Sequence, residues 1–262
     1  MCAEVRVRIV TWNVNGIRAR EAQLQELLQR EEPDVACLQE LRAPLDKVPA
    51  PLRDLPGYHG IWHGRAAYAG VSLLVRRDRV AAAPRFAHPP FDLETRAVVA
   101  EVGGVTVASL YVPNGGKDFA AKLRFLEGLD AWAAAERAAG RRLLLCGDLN
   151  VTASDLDVHA KERRDGAIGQ RGEERTLLAR LLSRGLVDVG RAVDPGNPEL
   201  FTWWPPWRGL RQKNVGWRID YVVASDELAA SARRCAVLAQ FGTSDHAPVV
   251  AEFDGWRPAL TG

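Results

Sequence analysis

Residues 142–150 read RLLLCGDLN, an apolar run of strand length that stops at Gly-Asp-Leu-Asn. A run that is apolar at successive positions has both faces buried, as a strand inside an α/β protein does. A helical pattern over about 119–139 precedes it, and before that lies another strand-like run at 105–112. Here strand, helix and strand follow one another. Between 57 and 112 the text differs: 71–75, 97–102 and 105–112 form a hairpin-like series with no helix between them. Crossovers in one part and a meander in another predict an α/β protein with two packed sheets rather than one parallel sheet. Further strands are expected at 5–11, where Val5-Arg6-Val7-Arg8-Ile9 has period two, and at 34–39, 219–223 and 248–253. Helices are expected at 20–30, where Leu24, Leu27 and Leu28 fall on one face, and at 173–183. No linker, repeat or low-complexity tract interrupts the series, which predicts a single domain over 1–262 with its core at about 5–254.

Composition agrees with a packed chain. Of 262 residues 47% are hydrophobic, and 35 Lys plus Arg stand against 33 Asp plus Glu, a formal net charge of +2. So much apolar content with so little net charge excludes a disordered chain. No run approaches the roughly 20 apolar residues that span a bilayer. Residues 1–10 lack the apolar core of a signal peptide. The cysteines Cys2, Cys37, Cys146 and Cys235 form no CxxC pair, and Cys37 and Cys146 sit in apolar runs. Reduced, buried thiols in a cytoplasmic protein are therefore expected. Near-neutral charge does not announce a nucleic-acid partner, so any such surface must be local.

The informative residues stand at the ends of the strand-like runs. Asn13 and Asn15 follow the first, Glu40 follows DVACLQ, and Tyr111 and Asn114 follow 105–110. Asp148 and Asn150 follow RLLLC, Asp220 opens DYVV, and Asp245-His246 precedes APVV. Loops at strand ends are where an α/β scaffold places chemistry. Each residue also has a plainer reading. Asp148 and Asn150 suit a turn, Glu40 a solvated strand end, Asp245 a cap, His246 a structural histidine, and Tyr111 a packed ring. Together they weigh more, because converging carboxylates repel unless a cation or proton lies among them. Glu40, Asp148, Asp245, Asn13 and Asn150 are hard oxygen donors, which suit Mg²⁺, with Mn²⁺ able to substitute. Zinc would want His and Cys. The pair His59 and His63 lies among glycines, and in a strand residues four apart are about 13 Å from each other, too far to share an ion.

The motifs TWNVNGIRA, CLQE, GYHGIWHG, YVPNG, GDLNVT, KNVGWRIDY and SDHAPV occur in the order found in the exonuclease III type of apurinic/apyrimidinic endonuclease. That type belongs to the endonuclease/exonuclease/phosphatase superfamily. The resemblance runs from about residue 9 to 253. It implies a four-layered α/β sandwich, two packed mixed β-sheets flanked by helices, with the site at one edge of the sheets. By the same resemblance Asn13, Glu40 and Asp245 form the metal environment. Asp148 and Asn150 activate and orient the attacking water, and Asp220 with His246 contacts the scissile phosphate. Tyr111 and Asn114 make phosphate or transition-state contacts, while Trp217 and Trp203 wall a pocket for an abasic sugar. The leaving oxygen would be stabilised by the metal or protonated by Tyr111 or Asp148.

The stretch 203–218, WWPPWRGLRQKNVGWR, holds four of the eight tryptophans, together with Arg208, Arg211, Lys213 and Arg218, and no acid. Cations among rings suit a DNA-facing loop. The plainer reading packs the rings on the core, which fits Trp204 better than Trp207 and Arg208. The partner implied is double-stranded DNA containing abasic sites, bound by a monomer without a membrane. A nucleotide lacking its base is cheaply extruded, so selectivity needs only deformability and sterics. Two stretches depart from the family's text. Residues 159–175 place Arg164 and Ala167 where asparagines are expected, and the loop 115–119 is short. Three functions compete: a metal-dependent repair phosphodiesterase, a phosphoesterase acting on a phosphorylated small molecule or lipid headgroup, and a DNA-binding module without chemistry. The second would not need the Trp-Arg loop, and the third would not need the full set of polar residues.

Overall fold

In the computed structural model, residues 6–256 are described. Cys2 and Val5, assigned above to a thiol and a strand, lie outside them. The strands are β1 (Arg6–Asn13), β2 (Val35–Gln39), β3 (Tyr58–His63), β4 (Val71–Arg76), β5 (Phe86–Ala87), β6 (Ala97–Val102), β7 (Val105–Tyr111), β8 (Arg142–Asp148), β9 (Leu186–Asp188), β10 (Asp220–Ser225), β11 (Ala232–Val237) and β12 (Val249–Asp254). The helices are α1 (Glu21–Glu31), α2 (Ala50–Arg53), α3 (Phe119–Ala138), α4 (Gly172–Leu182), α5 (Val189–Val193) and α6 (Asp226–Ala229). One six-stranded sheet runs β11-β12-β1-β2-β4-β3, the other β5-β6-β7-β8-β10-β9. Both are mixed, with β1 parallel to β2 and β7 parallel to β8.

The continuous apolar runs follow from layering. In β2, Val35 and Cys37 face the other sheet, whereas Ala36 and Leu38 face outward among Leu24 and Leu27 of α1. In β8, Leu144 and Cys146 point to the same inter-sheet core, and Leu143 and Leu145 point to Leu126 and Leu129 of α3 and Leu178 of α4. Helix, sheet, sheet, helix is the four-layered sandwich expected, and alternate residues of each central strand serve two cores. Cys37 and Cys146 are buried free thiols, as expected. No helix among the described residues is long and apolar enough to cross a membrane.

Register then fixes which side chains meet. Asp148 at the end of β8 pairs with Tyr111 of β7 on one side and Asp220 of β10 on the other. Gly147 makes the β7 approach possible: it adopts φ 144°, and a Cβ there would lie 2.0 Å from the Leu110 carbonyl oxygen. Any side chain at that position would push β8 off β7 one residue before the carboxylate.

Candidate functional site

Asn13, Glu40, Tyr111, Asn114, Asp148, Asn150, Asp220, Asp245 and His246, drawn from both sheets, come together at one edge of the sandwich. Most of them, with Arg42, Ile168, Gly169, Trp203, Trp217 and Ile219, line a pocket of about 360 Å³. Two of these polar residues have strained backbones: Glu40 at φ 54° and Asn150 at φ 52° lie in the left-handed region. Such conformations persist only where the surroundings over-determine them.

Asp148 is the floor. Its Oδ1 accepts from the Asn150 backbone N–H (2.9 Å), and its Oδ2 accepts from Asn13 Nδ2 (2.9 Å) and Asn150 Nδ2 (3.1 Å). His246 Nδ1 lies 2.9 Å from Asp220 Oδ2, and its Nε2 lies 3.9 Å from Asp148 Oδ2. Burial raises the Asp148 carboxyl to about 8; His246 pulls it down, while Asp220 and Glu40 push it further up. Burial works against a charged His246, yet Asp220, Asp148 and Asp245 outweigh it and raise the imidazole to about 10. Burial likewise opposes an ionised Asp245, but His246 and the hydrogen bonds from Trp203 and Asn15 leave it below the usual carboxylate value. Burial, aided by Glu40 and Asp148, keeps Tyr111 a phenol well above its ordinary range. Its hydroxyl donates to Glu40 Oε1 (2.5 Å).

The donor set fits a hard divalent cation. Carboxylates outnumber the cation among Asp148, Asp220 and His246, and Asp220 Oδ1 is buried with no hydrogen-bond donor among the described residues. Glu40 Oε2 already attracts a positive group, the Arg42 guanidinium at 2.6 Å. Asn13 Oδ1 accepts from the Asn15 backbone N–H (3.0 Å) and its Nδ2 donates to Asp148 Oδ2 (2.9 Å), so in this arrangement it also orients the carboxylate.

Asn15, noted above at the end of the first strand but given no role there, donates to Asp245 Oδ1 (2.6 Å), complementing Trp203 Nε1 on Oδ2 (3.0 Å). Sequence reasoning overlooked three further residues. Lys122, fully buried on α3, donates to the Asn150 carbonyl (2.6 Å) and ion-pairs with Glu174 of α4. Arg96 stacks over the Tyr111 ring at 4.6 Å. Thr202 Oγ1 accepts from the backbone N–H groups of Ile219 and Asp220 (3.0 Å each), which sets the start of β10.

The Trp-rich stretch divides. Trp203 and Trp217 exchange backbone hydrogen bonds (2.9 and 2.8 Å), and their rings meet edge to face at 5.6 Å to form one wall. Gly169 gives that wall its room, since a Cβ there would fall 2.8 Å from the Trp217 ring. Trp204 is 1% exposed and packs with Phe201 and Ala247, while Trp207 is 57% exposed. Two of the four basic residues are not cations free for DNA. Arg218 is buried, with Asp157 (2.7 Å) and Asp188 (2.6 Å) on its guanidinium. Arg211 donates to the carbonyls of Ala239, Ser244 and Phe241, bracing the loop that carries Asp245. Arg208 and Lys213 remain exposed. The divergent segment 159–175 contributes Ile168 and Gly169 to the pocket, and Arg164 lies exposed.

Comparison with known proteins agrees with this arrangement. The Endonuclease/Exonuclease/phosphatase family matches residues 10–246. Exodeoxyribonuclease III of Haemophilus influenzae is 30% identical over 269 residues, covering 94% of this chain and 100% of that protein. Recombination repair protein 1 of Drosophila melanogaster is 32% identical over 260 residues; the match covers 96% of this chain and spans 38% of that longer protein. Among solved structures, the 3′-5′ exonuclease NExo from Neisseria meningitidis has a TM-score of 0.85 at 34% identity, over 95% of this chain and 100% of that one.

Proposed function

The chain belongs to the endonuclease/exonuclease/phosphatase family, and from that membership we propose a DNA-repair nuclease that hydrolyses the phosphodiester 5′ to an abasic site, leaving a 3′-OH. Processing of 3′ ends accompanies it, since relatives are named as exonucleases. The observation that carries this reading is a buried, oriented carboxylate, Asp148, on the floor of a pocket whose walls are Trp203, Trp217 and Ile168. In the proposed reading this slot takes a bare deoxyribose, and a nucleotide that keeps its base is turned away.

Phosphodiester hydrolysis places charge on the non-bridging and leaving oxygens, so the site needs positive charge and aimed donors. A divalent ion, proposed as Mg²⁺, would be held by Glu40 with Asp245 and Asp148 near it, and supplies Lewis-acid stabilisation of that charge. Everything else belongs to the chain. Asp148, fixed by Asn13 and Asn150, takes the proton of the attacking water. Asn150 cannot ionise, so it orients without competing for that proton. His246, charged and held by Asp220 through Nδ1, presents Nε2–H to a phosphate oxygen. Tyr111 and Asn114, which line the same pocket, donate to the phosphate oxygens. Trp207 and Arg208 meet the duplex beside the gap, the ring against bases and the guanidinium against phosphate.

The test is a duplex carrying one tetrahydrofuran abasic analogue, incubated with Mg²⁺ and then with chelator. The expected result is a single nick 5′ to the analogue with a 3′-OH terminus, seen only with metal. Hydrolysis of inositol or lipid phosphates with the duplex left intact would overturn the reading. Sedimentation of the free protein as a single 28.8 kDa species would match the proposed monomer.

A further inference from the structure

Two groups of three His and carboxylate side chains bring their ligand atoms within 4.8 Å of one another among the described residues: the Asp148 floor, and His63, His88 and Asp92. The second group has no part in the reaction above. We infer that His63, His88 and Asp92 form a separate site for a zinc-like divalent ion, which ties together the outer edges of the two sheets.

The placement is specific. His63 closes β3, the edge strand of the first sheet, and His88 directly follows β5, the edge strand of the second. Asp92 lies in the loop from β5 to β6. Its Oδ2 is 2.6 Å from His63 Nε2 and 3.9 Å from His88 Nδ1. Its Oδ1 accepts from the backbone N–H groups of Arg96 (2.7 Å) and Ala97 (2.8 Å). The carboxylate is therefore held by the backbone with one oxygen turned to both imidazoles, as supported metal ligands are. The rings lie 3.9 Å apart between centroids, tilted by 33°. A hydrogen-bonded His63–Asp92 pair alone would explain the short contact but not the second imidazole laid against the first.

Two imidazole nitrogens and one carboxylate oxygen are a zinc set rather than a magnesium set. The His88 side chain is 46% exposed, so an ion can enter and keep water as a further ligand. The sequence excluded zinc at His59 and His63, because a strand holds residues four apart too far from each other. The partner of His63 comes from the other sheet instead. The loop concerned also leads to the reaction site: Arg96, bonded to Asp92, accepts the Tyr111 backbone N–H at its own carbonyl (2.8 Å). An ion here braces the backbone behind Tyr111 without touching the pocket.

The experiment titrates Zn²⁺ into the chelator-stripped protein against a chromophoric competitor, with Mg²⁺ in excess, for wild type, His88→Ala and His59→Ala. Zinc bound at the Asp148 floor is common to all three and cancels. Wild type and His59→Ala are expected to take up one more tight equivalent than His88→Ala. Zinc at about 100 times its Kd should raise the wild-type melting temperature by roughly 5 °C more than that of His88→Ala. Equal uptake by wild type and His88→Ala would overturn the site, as would loss of the same equivalent in His59→Ala. Because the readouts are metal uptake and melting, they stand whether or not the protein nicks abasic DNA.

Discussion

The two clusters of acids and imidazoles are built from the same side chains and differ in their surroundings. Asp148, Asp220 and His246 are all buried, two acids to one imidazole, under aromatic walls. At the sheet edges His63 and Asp92 are partly buried and His88 is exposed, two imidazoles to one acid, and Asp92 borders a different cavity beside Phe91 and Trp132. In the first, burial raises the Asp148 carboxyl and the neighbouring carboxylates raise His246, and a reaction can use groups displaced in this way. Exposure and an extra nitrogen leave the second suited to hold an ion and do nothing further. The balance of oxygen and nitrogen donors separates them, and depth and neighbours widen the difference.

The strongest way to break this contrast is to disarm one cluster at a time. Asp148→Asn should lower turnover on the abasic duplex by at least about 100-fold, as removing a general base does, with DNA affinity much less changed. His88→Ala should leave nicking in Mg²⁺ unaltered. Turnover of Asp148→Asn close to wild type would erase the distinction. Next in size, Glu40→Gln should raise the Mg²⁺ concentration for half-maximal rate by about tenfold, since a charged ligand is lost. An unchanged metal titration would remove Glu40 from the ion's ligands. Trp207→Ala should weaken abasic-duplex binding several-fold, in line with about 1 kcal/mol or more per stacked ring, while leaving the melting temperature unchanged. Equal binding and cleavage would take Trp207 off the DNA surface.

The smallest effect is on stability in chelator. Asp148 titrates near 8 in the fold against an ordinary 3.8, so its contribution is favourable only when protonated and fades as pH rises from about 4 to 8. His246, raised to about 10 from 6.5, contributes fully below 6.5 and loses that contribution as pH passes about 10. Both make the metal-free protein less stable in alkali. Asp148→Asn removes the first effect, so its melting temperature in EDTA should exceed the wild-type value by a few degrees at pH 8 and by less at pH 5. A difference independent of pH would show that burying Asp148 costs the fold nothing.

Legibility in the sequence followed the same division between depth and edge. β6 falls at the expected 97–102, and β8 and α3 differ from expectation by a residue or two at their ends, because strands and helices buried on a whole face carry unmistakable patterns. β3 lies inside the hairpin-like series expected over 57–112 but was given no bounds of its own, and β11 escaped notice. Tyr58–His63 and Ala232–Val237 are edge strands with much of their surface half-exposed, so neither alternates cleanly. At the site, the polar residues at strand ends were readable one by one, and their convergence followed from the resemblance. Arg218 and Arg211 misled, because a cation in a loop looks the same in a sequence whether it meets phosphate or, like Arg218, the carboxylates of Asp157 and Asp188. Lys122 was hidden for the converse reason: a lysine in a helix usually faces water, and its partners on α4 and after β8 are distant along the chain.

The ladder that sets Tyr111, Asp148 and Asp220 side by side on β7, β8 and β10 also makes the enzyme's working end hostage to arithmetic. Because strand side chains alternate faces, inserting or deleting one residue within 142–147 would exchange the two cores that β8 serves and carry Asp148 out of line with both neighbours. Drift in this nuclease is therefore channelled: length can vary in the loops beyond the sheet edge, whereas between Arg142 and Asp148 only letters can change, never their number.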